Sequence, residues 1–178
     1  GHGSSCHSAQ VPGPRRRAMI AADKENLIAL VGSRICHALI SPIGAINNGL
    51  ELLTMTGVAQ SPELALIAQS VGNASARVRF FRIAFGDTGG QNMAVAEIHG
   101  ILDDMSEGAR VSFAWSSADA ETRETVQLAF LCIMCVEDAL PYDGVIEVMR
   151  AGALLHISGH SPRMQLKPDL WSRIDGSA

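Results

Sequence analysis

Between Lys24 and Phe85 the sequence carries two long apolar stripes at helical spacing, and this restricts the fold more than any other feature. From Lys24 to about Thr56 the only strong break is Pro42. Ile28, Val31, Ile35, Leu39, Ile46, Leu50 and Leu53 recur at steps of three, four or seven, which is one face of a helix. Ser61-Pro62-Glu63 then announces a second helix: Ser61 suits the cap, Pro62 the first turn, and Glu63 the positive helix end. Its stripe is Leu64, Ile67, Val71, Ala74, Val78, Phe81 and Phe85, with Gly86 placed to end it. At 1.5 Å per residue the helices are about 45–50 Å and about 35–40 Å long. The short linker Gly57–Gln60 forces an antiparallel hairpin. Two such helices alone do not bury both stripes, so packing predicts a homodimer that closes a four-helix bundle.

After Gly86-Asp87-Thr88-Gly89-Gly90 the pattern changes. A short helix is expected over Ala94–Met105, with Val95, Ile98, Leu102 and Met105 inward, then a strand near Arg110–Ser116 and an apolar helix over Ala120–Ala139. Pro141–Gly144 turns the chain into strands near Val145–Arg150 and Ala153–Ser158, joined by Ala151-Gly152, and a last short helix follows Pro168. The predicted fold class is α+β: a flexible leader (1–23), a long helical hairpin (24–86), and a small α/β sandwich (91–178) with helices on one face of its sheet.

The 178 residues are 47% hydrophobic with a net charge of −4, which fits a globular chain with a real core and disfavours nucleic acid as a partner. The one basic run, Arg15-Arg16-Arg17, falls in the leader. Four cysteines give no disulfide framework. Cys132-x-x-Cys135 lies in the apolar run Leu128–Val136 and reads as two small buried thiols rather than a redox or metal motif. By this reading no apolar stretch reaches membrane-span length and no secretory signal is present, so a reducing cytoplasm and no membrane partner are expected.

Chemistry concentrates at His37. At 100° per residue the first stripe centres between Ile35 and Leu39, and His37 falls almost diametrically opposite, flanked by Arg34, Ser41, Gly44 and Asn48. A histidine so placed faces water among small or polar neighbours. Pro42 removes the helical hydrogen bond to Ala38, within a turn of it. A neutral imidazole attacks phosphorus, and the phosphoramidate formed is labile enough to pass on to a carboxylate. Such transfer needs in-line geometry and a metal to offset charge more than it needs further catalytic side chains.

The run His37-Ala38-Leu39-Ile40-Ser41-Pro42 resembles the H-box of sensor histidine kinases, and the longer segment Cys36–Leu52 more closely resembles ChpT-type histidine phosphotransferases. The resemblance is dense over residues 27–53 and continues more weakly through Ala139-Leu140-Pro141 and the Gly159–Leu170 tail. It implies a dimerising hairpin followed by a degenerate histidine-kinase ATP-binding domain. It further implies a chain that relays phosphate between receiver domains of response regulators and a hybrid histidine kinase without using ATP. By the same resemblance His37 is the phosphoacceptor. Arg34, Ser41, Gly44 and Asn48, by their position around it, line the receiver-docking face. No cofactor is expected on this chain, with Mg²⁺ carried by the partner receiver. The pattern departs at Ala38, where kinases and these phosphotransferases both have an acidic residue; in kinases that acid helps deprotonate the histidine during attack on ATP. That departure argues against autokinase activity, and it keeps open an alternative: a non-catalytic dimeric docking scaffold for response regulators.

The nucleotide boxes of a working kinase domain are missing. The helix Glu121–Ala139 has no asparagine, Gly159-His160-Ser161-Pro162 lacks an adenine-binding aspartate, and Asp87-Thr88-Gly89-Gly90-Gln91 fits an interdomain linker. His99, His156 and His160 have no partners at metal-ligand spacing, and Asp103-Asp104 and Glu137-Asp138 suit solvated or capping roles.

Overall fold

The computed structural model describes residues 14–57, 61–86 and 90–174; side chains of residues 14–26, 170, 173 and 174 lie outside that description. The linker residues 58–60, the segment 87–89 and the leader residues 1–13 therefore fall outside the described residues.

Helix α1 runs Pro14–Met55 and passes through Pro42 without interruption. It begins ten residues ahead of the expected start at Lys24, so the stretch assigned to a flexible leader is helical from Pro14 onward. Pro14 fits the first helical turn, and the Arg- and Ala-rich residues after it are good helix formers with no breaker among them. Helix α2 runs Pro62–Ala84, and its cap is the expected one: Ser61 Oγ accepts the Leu64 N–H at 3.2 Å. Gly86 closes α2 by close approach rather than by a left-handed backbone, since a Cβ there would lie 2.1 Å from the Arg82 carbonyl oxygen. The two helices run antiparallel. Gly32 of α1 meets Phe85 at the end of α2, where a Cβ would come within 2.7 Å of the Phe85 Cβ, while Leu53 and Thr54 share a recess with Pro62 and Leu64.

Strand β1 (Asn92–Met93) pairs antiparallel with β3 (Glu121–Thr122), a two-residue ribbon that the sequence pattern does not signal. Between them lie α3 (Val95–Ser106) and β2 (Val111–Trp115); after them come α4 (Arg123–Asp138), β4 (Gly144–Ala151), β5 (Leu154–His160) and α5 (Pro168–Ile174). The main sheet has the order β2-β4-β5, with β2 and β4 parallel across α4 and β4 and β5 an antiparallel hairpin. Ala151 pairs with Leu154, so the hairpin turns on Gly152-Ala153, with Gly152 at φ +61°. In β2, Val111, Phe113 and Trp115 are buried and alternate with more open residues, and Ile146 and Val148 do the same in β4; one face of the sheet is covered. The chain is thus α+β, with the order of its longer elements as read from its pattern.

The core does not respect the expected division at residue 86. Ala76, Phe80, Ile83 and Ala84 of α2 join Ile98, Leu102, Phe130, Ile133, Ile146 and Val148 in one buried cluster, with Phe80 stacked on Phe130 at 4.3 Å between centroids and 9° between planes. Arg77–Glu137 (2.7 Å) and Arg79–Asp104 (2.5 Å) clamp α2 to α4 and α3, and Lys167–Asp138 (2.8 Å) holds the C-terminal segment. Of the paired acids, Asp104, Glu137 and Asp138 thus tie elements together, with Asp104 and Asp138 still well exposed to solvent. Cys132 and Cys135 are half-buried, not fully buried: the core face of α4 is Val126, Ala129, Phe130, Ile133 and Val136, and both thiols sit on its flank.

The expectation that no apolar stretch reaches membrane-span length is overturned. Leu27–Met55 is long and apolar enough to cross a membrane by length and composition, with a mean hydropathy of 1.6 in its best window. Arg34 and Glu51 are its only acidic or basic residues apart from His37. Its polar residues, however, gather on one face, the pattern of a helix lying between water and an apolar partner.

Candidate functional site

His37, Arg34, Ser41 and Asn48 are exposed and Gly44 is half-buried, all along one side of α1. The helix alone brings them together: relative to His37 at 100° per residue, Ser41, Gly44 and Asn48 fall within about 40° and Arg34 at about 60°. Cys36, one residue away, turns about 100° and is buried against α2 at 4% exposure. The apolar stripe does not point at α2 either. Ile28, Val31, Ile35, Leu39 and Ile46 remain 43–57% exposed, roughly opposite His37. Helix α1 therefore has three sides: one packed on α2, one apolar and uncovered, and one polar with His37 at its centre.

Gly44 has no structural reason to be glycine. A Cβ there meets nothing within 4 Å, and the same holds for Gly72 on α2. Glycine inside a helix costs about 1 kcal/mol relative to alanine. Antiparallel packing, with Asn47 and Gly72 lining one recess, sets the two glycines at about the same level, two turns from His37. Together they leave a shallow surface where another chain can approach the backbone closely. That recess continues over Ser75 and Arg79 to Asp104 of α3 and Glu107 at its C-terminal cap. The apolar pattern does not single out Gly72; the signal is a glycine in mid-helix with no cap or turn to serve.

Around His37 there is no carboxylate. Residues 27–50 and 64–86 hold no Asp or Glu at all. The residues present therefore do not fit a magnesium site, and no group of three or more potential metal ligands occurs among the described residues. His99 is half-buried on α3, and His156 and His160 are exposed on β5, where His160 lies 3.8 Å from Glu147. None of these reaches the His37 face.

Residues 95–178 match the family of histidine phosphotransferase C-terminal domains. Over 131 residues the chain is 38% identical to the protein phosphotransferase ChpT of Brucella abortus (strain 2308), an alignment covering 72% of this chain and 62% of that protein. By these matches the chain is similar to the ChpT-type histidine phosphotransferases. A solved bacterial phosphotransferase, at 1.7 Å, is 25% identical with a TM-score of 0.57, covering 88% of this chain and 77% of its own. This similarity agrees with the resemblance carried by Cys36–Leu52, a segment that the C-terminal match does not itself include. The chain spans 62% of the length of the ChpT relative.

Proposed function

We propose that the chain relays phosphoryl groups between receiver-domain aspartates through His37, in a two-component phosphorelay in the cytoplasm. The observation that carries this reading is His37 itself: exposed, at the centre of the polar side of α1, above a surface smoothed by Gly44 and Gly72. A free ring nitrogen attacks the phosphorus of an aspartyl phosphate. The P–N bond forms as the P–O bond breaks with its electrons on the aspartate, and the other ring nitrogen releases its proton to water. Delivery to a second receiver is the reverse. Arg34, Ser41, Gly44 and Asn48 form the docking face, and Mg²⁺ sits with the receiver's own carboxylates.

The reading includes a dimer. The uncovered stripe of α1, with Ile67 of α2 46% exposed and Leu66 64% exposed, is the surface that a second copy covers in a four-helix bundle. It also includes independence from ATP. Helix α4 has no asparagine, and Gly159 of β5 lies so close to α4 that a Cβ would come within 2.5 Å of Val136 Cγ1. The two elements that line the nucleotide in a kinase domain are here in van der Waals contact, in what we read as a degenerate form of that domain.

The test is transfer from a phosphorylated receiver domain in the presence of Mg²⁺, with label followed onto the chain. Label expected on wild type and absent from His37→Ala supports the relay. Receiver binding without label supports the scaffold alternative, which Ala38 favours. Label from ATP with no kinase present contradicts ATP independence.

A further inference from the structure

Four arginines lie along the hairpin near His37, and two have partners. Arg77 pairs with Glu137 and Arg79 with Asp104. Arg34 of α1 and Arg82 of α2 are exposed and have no ion pair among the described residues. In a chain with a net charge of −4, both lie in stretches that contain no acid.

Their placement follows from the packing. Gly32 against Phe85 fixes the antiparallel register, so Arg82, three residues before Phe85, stands beside Cys36 and His37. The guanidinium charge of Arg82 acts on the Cys36 thiol, which agrees with that level. On the α2 wheel Ala76, Phe80, Ile83 and Ala84 face the core. Arg82 lies about 145° away, on the α1-facing half and on the flank it shares with Ser75 and Arg79. Given the handedness of two antiparallel helices, that flank opens on the same side of the hairpin as His37, Ser41 and Gly44.

We propose that Arg82, reaching across from α2, and Arg34 of α1 form a phosphoryl-binding pair flanking His37. The pair rests on the phosphotransfer reading for its role in the reaction. A guanidinium offers a planar fork of donors that matches phosphate oxygens, and its charge offsets the phosphoryl group at the His37 side of the transfer, where the chain has no metal ligands. As phosphorus moves from the aspartate oxygen to the ring nitrogen, its three remaining oxygens stay within reach of both cations. A cation in the last turn of α2 also interacts favourably with the helix terminus. That accounts for Arg82 alone, not for Arg34 in mid-helix, and it confers no affinity for phosphate.

Two measurements on the full chain decide this. In the first, inorganic phosphate is titrated against the chain while the His37 ring resonances are followed by NMR. A saturable shift at millimolar phosphate, lost in Arg82→Ala and partly retained in Arg82→Lys, is expected; no shift in wild type overturns the pair. In the second, phosphoramidate serves as a small donor that forms the P–N bond to His37 with loss of ammonia. Arg82→Ala and Arg34→Ala are each expected to slow labelling on the order of 10-fold, the worth of one charge-assisted hydrogen bond. Labelling of Arg82→Ala at the wild-type rate, with the variant's circular dichroism unchanged, also overturns it. Phosphate binding that depends on Arg82 without any label from a phosphorylated receiver leaves the pair standing and sinks the relay reading instead.

Discussion

Cys36 and His37 are neighbours in sequence with opposite fates. One helical step turns the thiol into the α1–α2 contact and leaves the imidazole in water. Burial pushes the Cys36 thiol above its ordinary value, with the Arg82 charge working in the other direction, and burial does the same to Cys132. A thiol whose folded pKa is raised holds its proton in the native state at pH values where the unfolded chain has lost it. Its contribution is therefore full below the unfolded pKa of about 8.5 and is lost as pH rises above it. Urea midpoints measured from pH 7 to pH 10 are expected to fall above about pH 8.5, and to fall less in Cys36→Ala, measured relative to that variant's own midpoint at pH 7. A flat profile in wild type contradicts the burial argument. At this scale the sequence is legible wherever a property depends only on helical phase. The side of α1 that carries His37, Arg34, Ser41, Gly44 and Asn48 is one such property. The absence of acid around His37 can also be read directly. That Arg79 is neutralised and Arg82 is not cannot be read there, because Asp104 is far along the chain from Arg79.

Helix α2 is the element whose role the pattern understates. Its stripe through Leu64, Ile67, Val71 and Phe81 describes a helix with one apolar side, facing α1 and a second copy. In the structure its C-terminal half has two apolar sides, and Ala76, Phe80, Ile83 and Ala84 enter the core of the α/β layer. The Phe80–Phe130 stack joins the two parts of the chain. Phe130→Ala is expected to destabilise the fold by about 3–5 kcal/mol, as for other large-to-alanine changes in a core. It should also loosen the hairpin. Thermal melts followed by circular dichroism together with amide exchange in α2 test this, and protection of α2 that survives the substitution counts against a shared core. The other elements were legible because α3, α4, β2, β4 and β5 each carry a clear period. The ribbon β1–β3 was not, since two residues per strand are too few to show one. Helix α1 starts ahead of its apolar stripe because nothing between Pro14 and Lys24 breaks a helix.

At the scale of the whole molecule, the apolar side of α1 stands uncovered. Ile35 is 55% exposed and Ile46 50% exposed. A bundle dimer places both in its centre, so Ile35→Asp and Ile46→Asp, each burying a charge among apolar side chains, are expected to shift the chain to monomer at micromolar concentration. Multi-angle light scattering reads the change. A wild-type monomer, or aspartate variants that remain dimeric, contradicts the bundle. The same apolar helix passes the length and hydropathy test for a membrane span. A dimer that forms without detergent and is lost on those substitutions favours a protein partner over lipid.

Helical phase, caps and turns are local, set by residues within about four positions of one another. The sequence by itself therefore determined the two long helices, the alternation that follows them and the exposed side on which His37 stands. Which apolar side meets which neighbour depends on residues tens of positions apart. Only the tertiary structure decided that α2 is sandwiched between α1 and the α/β layer. It alone paired β2 with β4 in parallel and set Gly44 level with Gly72. It also paired Arg77 and Arg79 with acids and left Arg34 and Arg82 without an ion pair among the described residues.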